Sequence, residues 1–301
     1  MPPFVHHPAY DASTVPGDHR FPMRKYGHVA RLLMEEGYVA PGGFYEPIPA
    51  PEAWLEAAHH PDYVRDILSC SVDRNAAKLI GFEITPAISM RSRTSCSGTL
   101  LAGRLALEYG AAANTAGGSH HASYQAGGGY CVFNDVAVAA RMLLAERAVS
   151  QILVVDLDVH QGDGTARIFA DEPRVFTLSV HCEENWPRRK PPSDLDVGLP
   201  KGAGDTAYLD AVSSALDEAF ASVQPDLVFY NAGVDPHLED RLGLLNLSDE
   251  GLKARDACVV DRCKSERVPI AGVLGGGYGK DAEAVARRHL FLFDAMAQAF
   301  G

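Results

Sequence analysis

Four short runs of the chain are almost continuously apolar: "ILVVD" at 152–156, "VFTLSVH" at 175–181, "DLVFYN" at 226–231 and "PIAGVL" at 269–274. Unbroken apolar runs of this length suit strands that are covered on both faces. Between them, apolar positions recur with helical spacing over about 134–147, 206–223, 248–264 and 280–299. An earlier Ala/Leu-rich helix is expected over about 95–111. Gly251 denies Ser248 a full capping box, although Asp249 and Glu250 suit a first helical turn. Alternation of this kind predicts an α/β fold with a parallel sheet and crossover helices. In such sheets ligands gather outside the carboxyl ends of the strands, so the residues after each strand carry the chemistry.

Those ends read "GGSHHASYQAGGGYCVFND", "DLDVHQGDG", "NAGVDPHLEDRLG" and "GGGYGKD". Each is rich in glycine and each carries catalytically useful polar groups. In an extended "DLDVH" segment, Asp156, Asp158 and His160 alternate to one side, because side chains repeat with period two. A carboxylate and an imidazole so spaced reach one cation. Zinc accepts such ligands, and a catalytic zinc keeps one position open for water. Asp235, just after the run at 226–231, is the best-placed third ligand. Iron(II) and cobalt(II) also suit this donor set, and the same carboxylates could instead cap a following helix.

His120 and His121 lie in a glycine loop that either presents both rings to one pocket or simply runs over the surface. Asp156 and Asp163 are not needed as ligands. Set behind the two imidazoles, they would fix the tautomers and raise the basicity. Tyr278 in "GGGYG" offers a phenol on a flexible turn, able to bond a developing oxyanion opposite the metal; otherwise it packs over the glycines. Two His–Asp pairs beside a metal suit metal-assisted hydrolysis.

Charge and composition narrow the rest. A net charge of -12 over 301 residues offers no basic field to nucleic acid or to anionic lipid. It weakly favours cationic small molecules or lysine-rich segments. Six scattered cysteines without a C-x-x-C pair argue against disulfides and against a thiolate metal site. No signal peptide or membrane span is evident, so a cytoplasmic protein is expected. No linker or repeat divides the chain, so one catalytic domain over 1–301 is expected. "LGGGYGKD" fails as a phosphate loop, with Leu274 where Gly and Asp281 where Ser or Thr should stand.

The set "GGSHHA", "GGGYCVFND", "DLDVHQGDGT", "AGVDPHLEDRLG" and "LGGGYG", in this order, resembles the zinc-dependent histone deacetylase family. The likeness runs from "FPMRKYG" and "HHPDYV" to the last helix, and "NWPRRKPPSDLDVGLP" is most similar to its bacterial and class IV branch. The resemblance implies the arginase–deacetylase fold, a parallel sheet of about eight strands flanked by helices. It implies one zinc ion held by Asp158, His160 and Asp235. It makes His121, backed by Asp163, the general base and acid, and His120, backed by Asp156, an electrostatic partner. Tyr278 would polarise the scissile carbonyl, the Gly129 carbonyl would receive the substrate amide, and Tyr130 and Trp186 would wall an acyl-lysine tunnel. A structural potassium is implied near Asp156, Asp158, His160 and Ser179.

The implied substrate is an acylated lysine in a peptide or protein, or a related acylated small amine such as an acetylpolyamine. Two positions and one loop depart from the pattern. Asp163 stands where class IV relatives often have Asn, which should make His121 more basic. Tyr130 replaces the commoner Phe, and the "CEENWPRRK" loop differs from the class I tunnel loop. A sister ureohydrolase would need carboxylates where Gly162 and Gly233 stand. A non-catalytic acyl-amine binder should have lost a ligand, a histidine or the tyrosine, and none is lost. A homo-oligomer is compatible with the sequence.

Overall fold

In the computed structural model, which describes residues 1–301, the four apolar runs lie side by side in the middle of one sheet. The strands are β1 (Phe4–Val5), β2 (Ala111–Asn114), β3 (Ile152–Asp156), β4 (Val175–Cys182), β5 (Leu195–Leu199), β6 (Leu227–Asn231) and β7 (Ile270–Val273). Their order is β1-β2-β7-β6-β3-β4-β5, and every pairing is parallel. Every residue of β3, β6 and β7 is buried, which is why these segments carry no alternation. Edge strand β5 alternates instead, and only its last residue is buried.

The sheet has seven strands, where about eight were expected. Beyond β1, one isolated bridge from Val5 to Tyr45 is all that occupies the next position.

Ten α-helices surround the sheet. Before β2 come α1 (Lys25–Glu35), α2 (Glu52–Leu55), α3 (Pro61–Leu68), α4 (Arg74–Ile80) and α5 (Pro86–Tyr109). After it come α6 (Asp135–Ala145), α7 (Asp163–Phe169), α8 (Asp205–Ser222), α9 (Asp249–Glu266) and α10 (Ala282–Phe300). The expected helices are all present. The first, α5, starts at Pro86 rather than near 95, because Thr85 caps it and Pro86 suits a first helical position. One cluster of buried apolar residues runs from Phe4 to Met296, so the N-terminal helices and α10 share a core. No helix is long and apolar enough to cross a membrane.

Adjacent strands β2, β7, β6 and β3 send their carboxyl-end loops to the same place, and close backbone contact holds those loops together. Gly118 (φ 82°) and Gly275 (φ 64°) have left-handed backbones. A Cβ on Gly118 would lie 2.5 Å from the Gly275 Cα, and one on Gly275 would lie 2.9 Å from the Gly233 Cα. Only glycine meets both demands.

Candidate metal-binding and hydrolytic site

Strand β3 ends at Asp156, and the next six residues turn. The even alternation expected of "DLDVH" therefore stops there, and its three polar side chains divide. Asp156 turns sideways, accepting from the Asn231 Nδ2 on β6 at 2.9 Å and contacting the His120 Nδ1 at 2.7 Å. Asp158 and His160 continue into a cluster with Asp235 from the β6 loop.

The ligand atoms of Asp158, His160 and Asp235 lie within 4.8 Å of one another, and all three residues are buried. His160 Nδ1 stands 3.0 Å from the Asp158 Oδ1 and 3.1 Å from the Asp235 Oδ2. Backbone amides fix the carboxylates: Gly276 donates to the Asp158 Oδ2 at 2.7 Å and Val159 to the Asp235 Oδ1 at 2.9 Å. Asn185 Nδ2 lies 3.3 Å from the far nitrogen of His160 and donates to the Leu242 carbonyl at 2.8 Å. Burial, then the charge of Asp158, pushes the Asp235 carboxyl up to about 7. Two facing carboxylates out of water call for a cation between them. Two carboxylate oxygens and one imidazole nitrogen form a set that zinc accepts, so the residues fit the expected ion.

Both histidines expected at the site are in it. Asp135 at the start of α6 grips their loop, accepting from the Gly118 and Ser119 amides at 3.1 and 2.8 Å. His121 Nδ1 lies 2.8 Å from the Asp163 Oδ1, and the two Nε2 atoms are 3.2 Å apart. The dyads diverge electrostatically. Burial opposes charge on His120, but Asp156 and Asp158 outweigh it and hold the imidazole up at about 9. Burial and the charge of His120 push His121 down to about 3, outweighing Asp163. Asp163 orients His121 and pulls its basicity upward, but burial and the neighbouring His120 outweigh that pull.

Tyr278 is 6% exposed, so its ring forms part of the buried wall of the site. Its ring centroid lies 6.3 Å from that of His160, 5.8 Å from Tyr130 and 6.0 Å from Phe21. Asp240 accepts its N–H at 2.7 Å. Burial, then the Asp158 and Asp235 charges, raises the phenol well above its ordinary value, so it stays protonated.

Over His121 stands Trp186, with centroids 4.4 Å apart and rings at 85°. A Cβ on Gly129 would lie 2.6 Å from the His121 ring and 3.3 Å from the Trp186 ring, so Gly129 packs against both. Tyr130 packs against Phe21 and Phe82, each at 5.4 Å. Ser179, expected beside a potassium ion, pairs with the His181 Nδ1 at 2.9 Å.

Sequence reasoning missed Phe21, Phe82, Asn185, Asn231 and Asp240. Phe21 and Phe82 come from the long stretch between β1 and β2, outside the alternation of strands and helices. Asn231 was visible as the polar end of an apolar run, the one signal that marked it.

A family model for the histone deacetylase domain matches residues 19–292. An uncharacterized protein of Picosynechococcus is 45% identical over 293 residues, covering 97% of both chains. Histone deacetylase 2 of Arabidopsis thaliana is 30% identical over 89% of this chain and 71% of its own. Acetoin utilization protein AcuC of Bacillus subtilis is 27% identical over 91% of this chain and 77% of its own. Among solved structures, a histone deacetylase homologue from Aquifex aeolicus superposes with a TM-score of 0.82 at 24% identity, covering 97% of this chain and 83% of that one. Match, relatives and architecture agree with the resemblance read from the five motifs: the chain belongs to the histone deacetylase family.

Proposed function

We propose that this chain is a zinc-dependent amidohydrolase that removes acetyl, or another acyl group, from the ε-amine of lysine or a related acylated amine. The observation that carries this reading is the Asp158–His160–Asp235 cluster beside two histidine–carboxylate dyads and a buried phenol. Zinc, held by those three residues, would polarise the amide carbonyl and acidify the attacking water. Asp163 keeps the proton on the His121 Nδ1, leaving Nε2 free to accept the proton that water gives up. His120, backed by Asp156 and with its Nε2 3.2 Å from that of His121, would favour the negative charge that builds during attack. Tyr278 donates its proton to a hydrogen bond with the developing oxyanion. His121 then passes its proton to the departing nitrogen, giving the free amine and the carboxylate.

Gly129, Tyr130 and Trp186 would flank the acyl-amine arm, with the Gly129 carbonyl accepting the amide N–H. One such domain would span residues 1–301. The expected potassium near Asp156, Asp158, His160 and Ser179 rests on the motif resemblance alone.

The test is hydrolysis of a fluorogenic acetyl-lysine peptide, beside acetylpolyamines, by metal-depleted and zinc-restored protein. Zinc should restore activity to the wild type, and Tyr278→Phe should lose roughly 10²- to 10³-fold in kcat. Zinc binding without turnover of any acylated amine would leave a binder; no zinc binding at all would remove the premise.

A further inference from the structure

The chain as a whole is acidic, at -12, yet the rim beside Tyr278 is basic. Arg20, Arg241, Leu242 and Tyr278 line a cavity of about 130 Å³. Arg241 continues into a second cavity of about 340 Å³, shared with Arg24 and Lys280. All four cations are exposed. None of them forms an ion pair or a side-chain hydrogen bond, whereas three nearby acids, Glu239, Asp240 and Asp281, have partners of their own. Asp240 accepts from the Leu242, Gly243 and Tyr278 amides, Glu239 pairs with Arg288, and Asp281 caps α10. Asp18 is the one carboxylate lining either cavity.

These cations sit close to the site by construction. The His19 ring packs 5.8 Å from Tyr130, and Phe21 packs 6.0 Å from Tyr278, so Arg20 lies between two wall residues. Arg241 follows the aspartate that holds the Tyr278 amide, and Lys280 is two residues beyond Tyr278. The loop carrying Trp186 adds exposed Arg188 and Arg189.

Unpaired like charges around a cleft repel one another and focus a field that draws in anions. Arginine also offers a fork that matches carboxylate and phosphate oxygens. We propose that the acylated amine hydrolysed here carries an anionic group at the mouth end of its arm, remote from the acylated nitrogen, engaged by Arg20 and Arg241 and steered by Arg24 and Lys280. This rests on the amidohydrolase reading and narrows its substrate. It reverses the weak hint of net charge: a lysine-rich tail or a polyamine would meet like charge at the mouth. The anion could be the α-carboxylate of a free acyl-lysine or an acidic side chain flanking it in a peptide.

The experiment compares kcat/KM for matched pairs on zinc-loaded full-length protein. Nα,Nε-diacetyl-lysine against its carboxamide isolates one carboxylate; acetyl-lysine peptides flanked by Glu, Gln or Lys isolate side-chain charge. The expected result is about a tenfold preference for the anionic member in at least one series at low salt. That preference should shrink as salt screens it. Arg20→Gln with Arg241→Gln should bring the anionic-to-neutral ratio near one, with the unfolding midpoint unmoved. The series that responds identifies the source of the anion. Equal rates across charge, or a preference for Lys-flanked peptides or acetylpolyamines, would overturn the proposal. If nothing is hydrolysed, the amidohydrolase reading fails, and calorimetric titration of the same pairs decides the rim: tighter binding of the anionic members supports it, and equal affinity overturns it.

Discussion

At the scale of single residues, two neighbouring imidazoles of identical chemistry are driven apart by their surroundings. His120 faces Asp156 and Asp158 and is held up at about 9, whereas His121, buried against that charge, is pushed down to about 3. A neutral His121 can take a proton, and a charged His120 can only stabilise negative charge. His121→Ala should therefore cost about 10³-fold in kcat, and His120→Ala clearly less, as steady-state rates on one acetyl-lysine peptide would reveal. Equal losses would mean that the roles are shared. Gly276 makes a second residue-scale point. Its amide donates to Asp158, and a Cβ there would lie 2.2 Å from the Asp235 Oδ2. Gly276→Ala should displace a ligand carboxylate and weaken zinc binding at least tenfold by calorimetry while the unfolding midpoint stays close to wild type.

At the scale of elements, α9 reaches under two of the site loops through one buried side chain. Arg255 is 0% exposed and donates to the Gly233 carbonyl at 2.5 Å and the Leu157 carbonyl at 3.4 Å. Those residues precede Val234-Asp235 and Asp158, so one guanidinium braces both carboxylate loops. Its counter-ion Asp256 lies 2.8 Å away and also accepts from the Tyr230 hydroxyl at 2.5 Å. Arg255→Met would strand the buried Asp256 and should cost about 3–5 kcal/mol in urea unfolding. A loss under 1 kcal/mol would sink this account of Arg255. The elements also differ in how far the sequence disclosed them. Continuous apolar runs disclosed β3, β4, β6 and β7. Strand β2 is "AAAN", which reads as the tail of a helix until it pairs with β1 and β7. Strand β5 is half exposed, and β1 is too short to carry a pattern.

For the whole molecule, burial of neutral histidine sets a limit on the acid side. His59 is 0% exposed, its Nδ1 lies 2.9 Å from the Ser123 carbonyl, and its Nε2 accepts from the Asn134 amide at 2.9 Å. Burial pushes it from 6.5 down to about 4. The unfolded chain thus binds this proton first. The contribution of His59 is complete above about pH 6.5 and is lost as pH falls toward about 4, on the order of 3 kcal/mol by linkage. His181, pushed down to about 4 by burial, acts in the same direction. The urea midpoint should fall between pH 7 and pH 5, and His59→Gln should flatten that fall while lowering stability at pH 7. An unchanged slope in the variant would remove His59 from the account.

What the sequence determined by itself is the inventory and its approximate place. Buried strands must be apolar, so polar residues at their carboxyl ends stand out, and Asp156, Asp158, His160, Asp235 and Tyr278 were legible for that reason. The tertiary structure decided how those residues divide the work. It broke the even alternation of the segment after β3, gave the two histidines opposite electrostatic surroundings, and buried Tyr278 among Phe21, Tyr130 and His160. It also gathered Arg20, Arg24, Arg241 and Lys280 into one basic rim on an acidic chain. Periodicity reports which face of an element is buried. Charge, desolvation and close contact depend on distances between segments far apart in the chain, and those distances exist only once the sheet has formed.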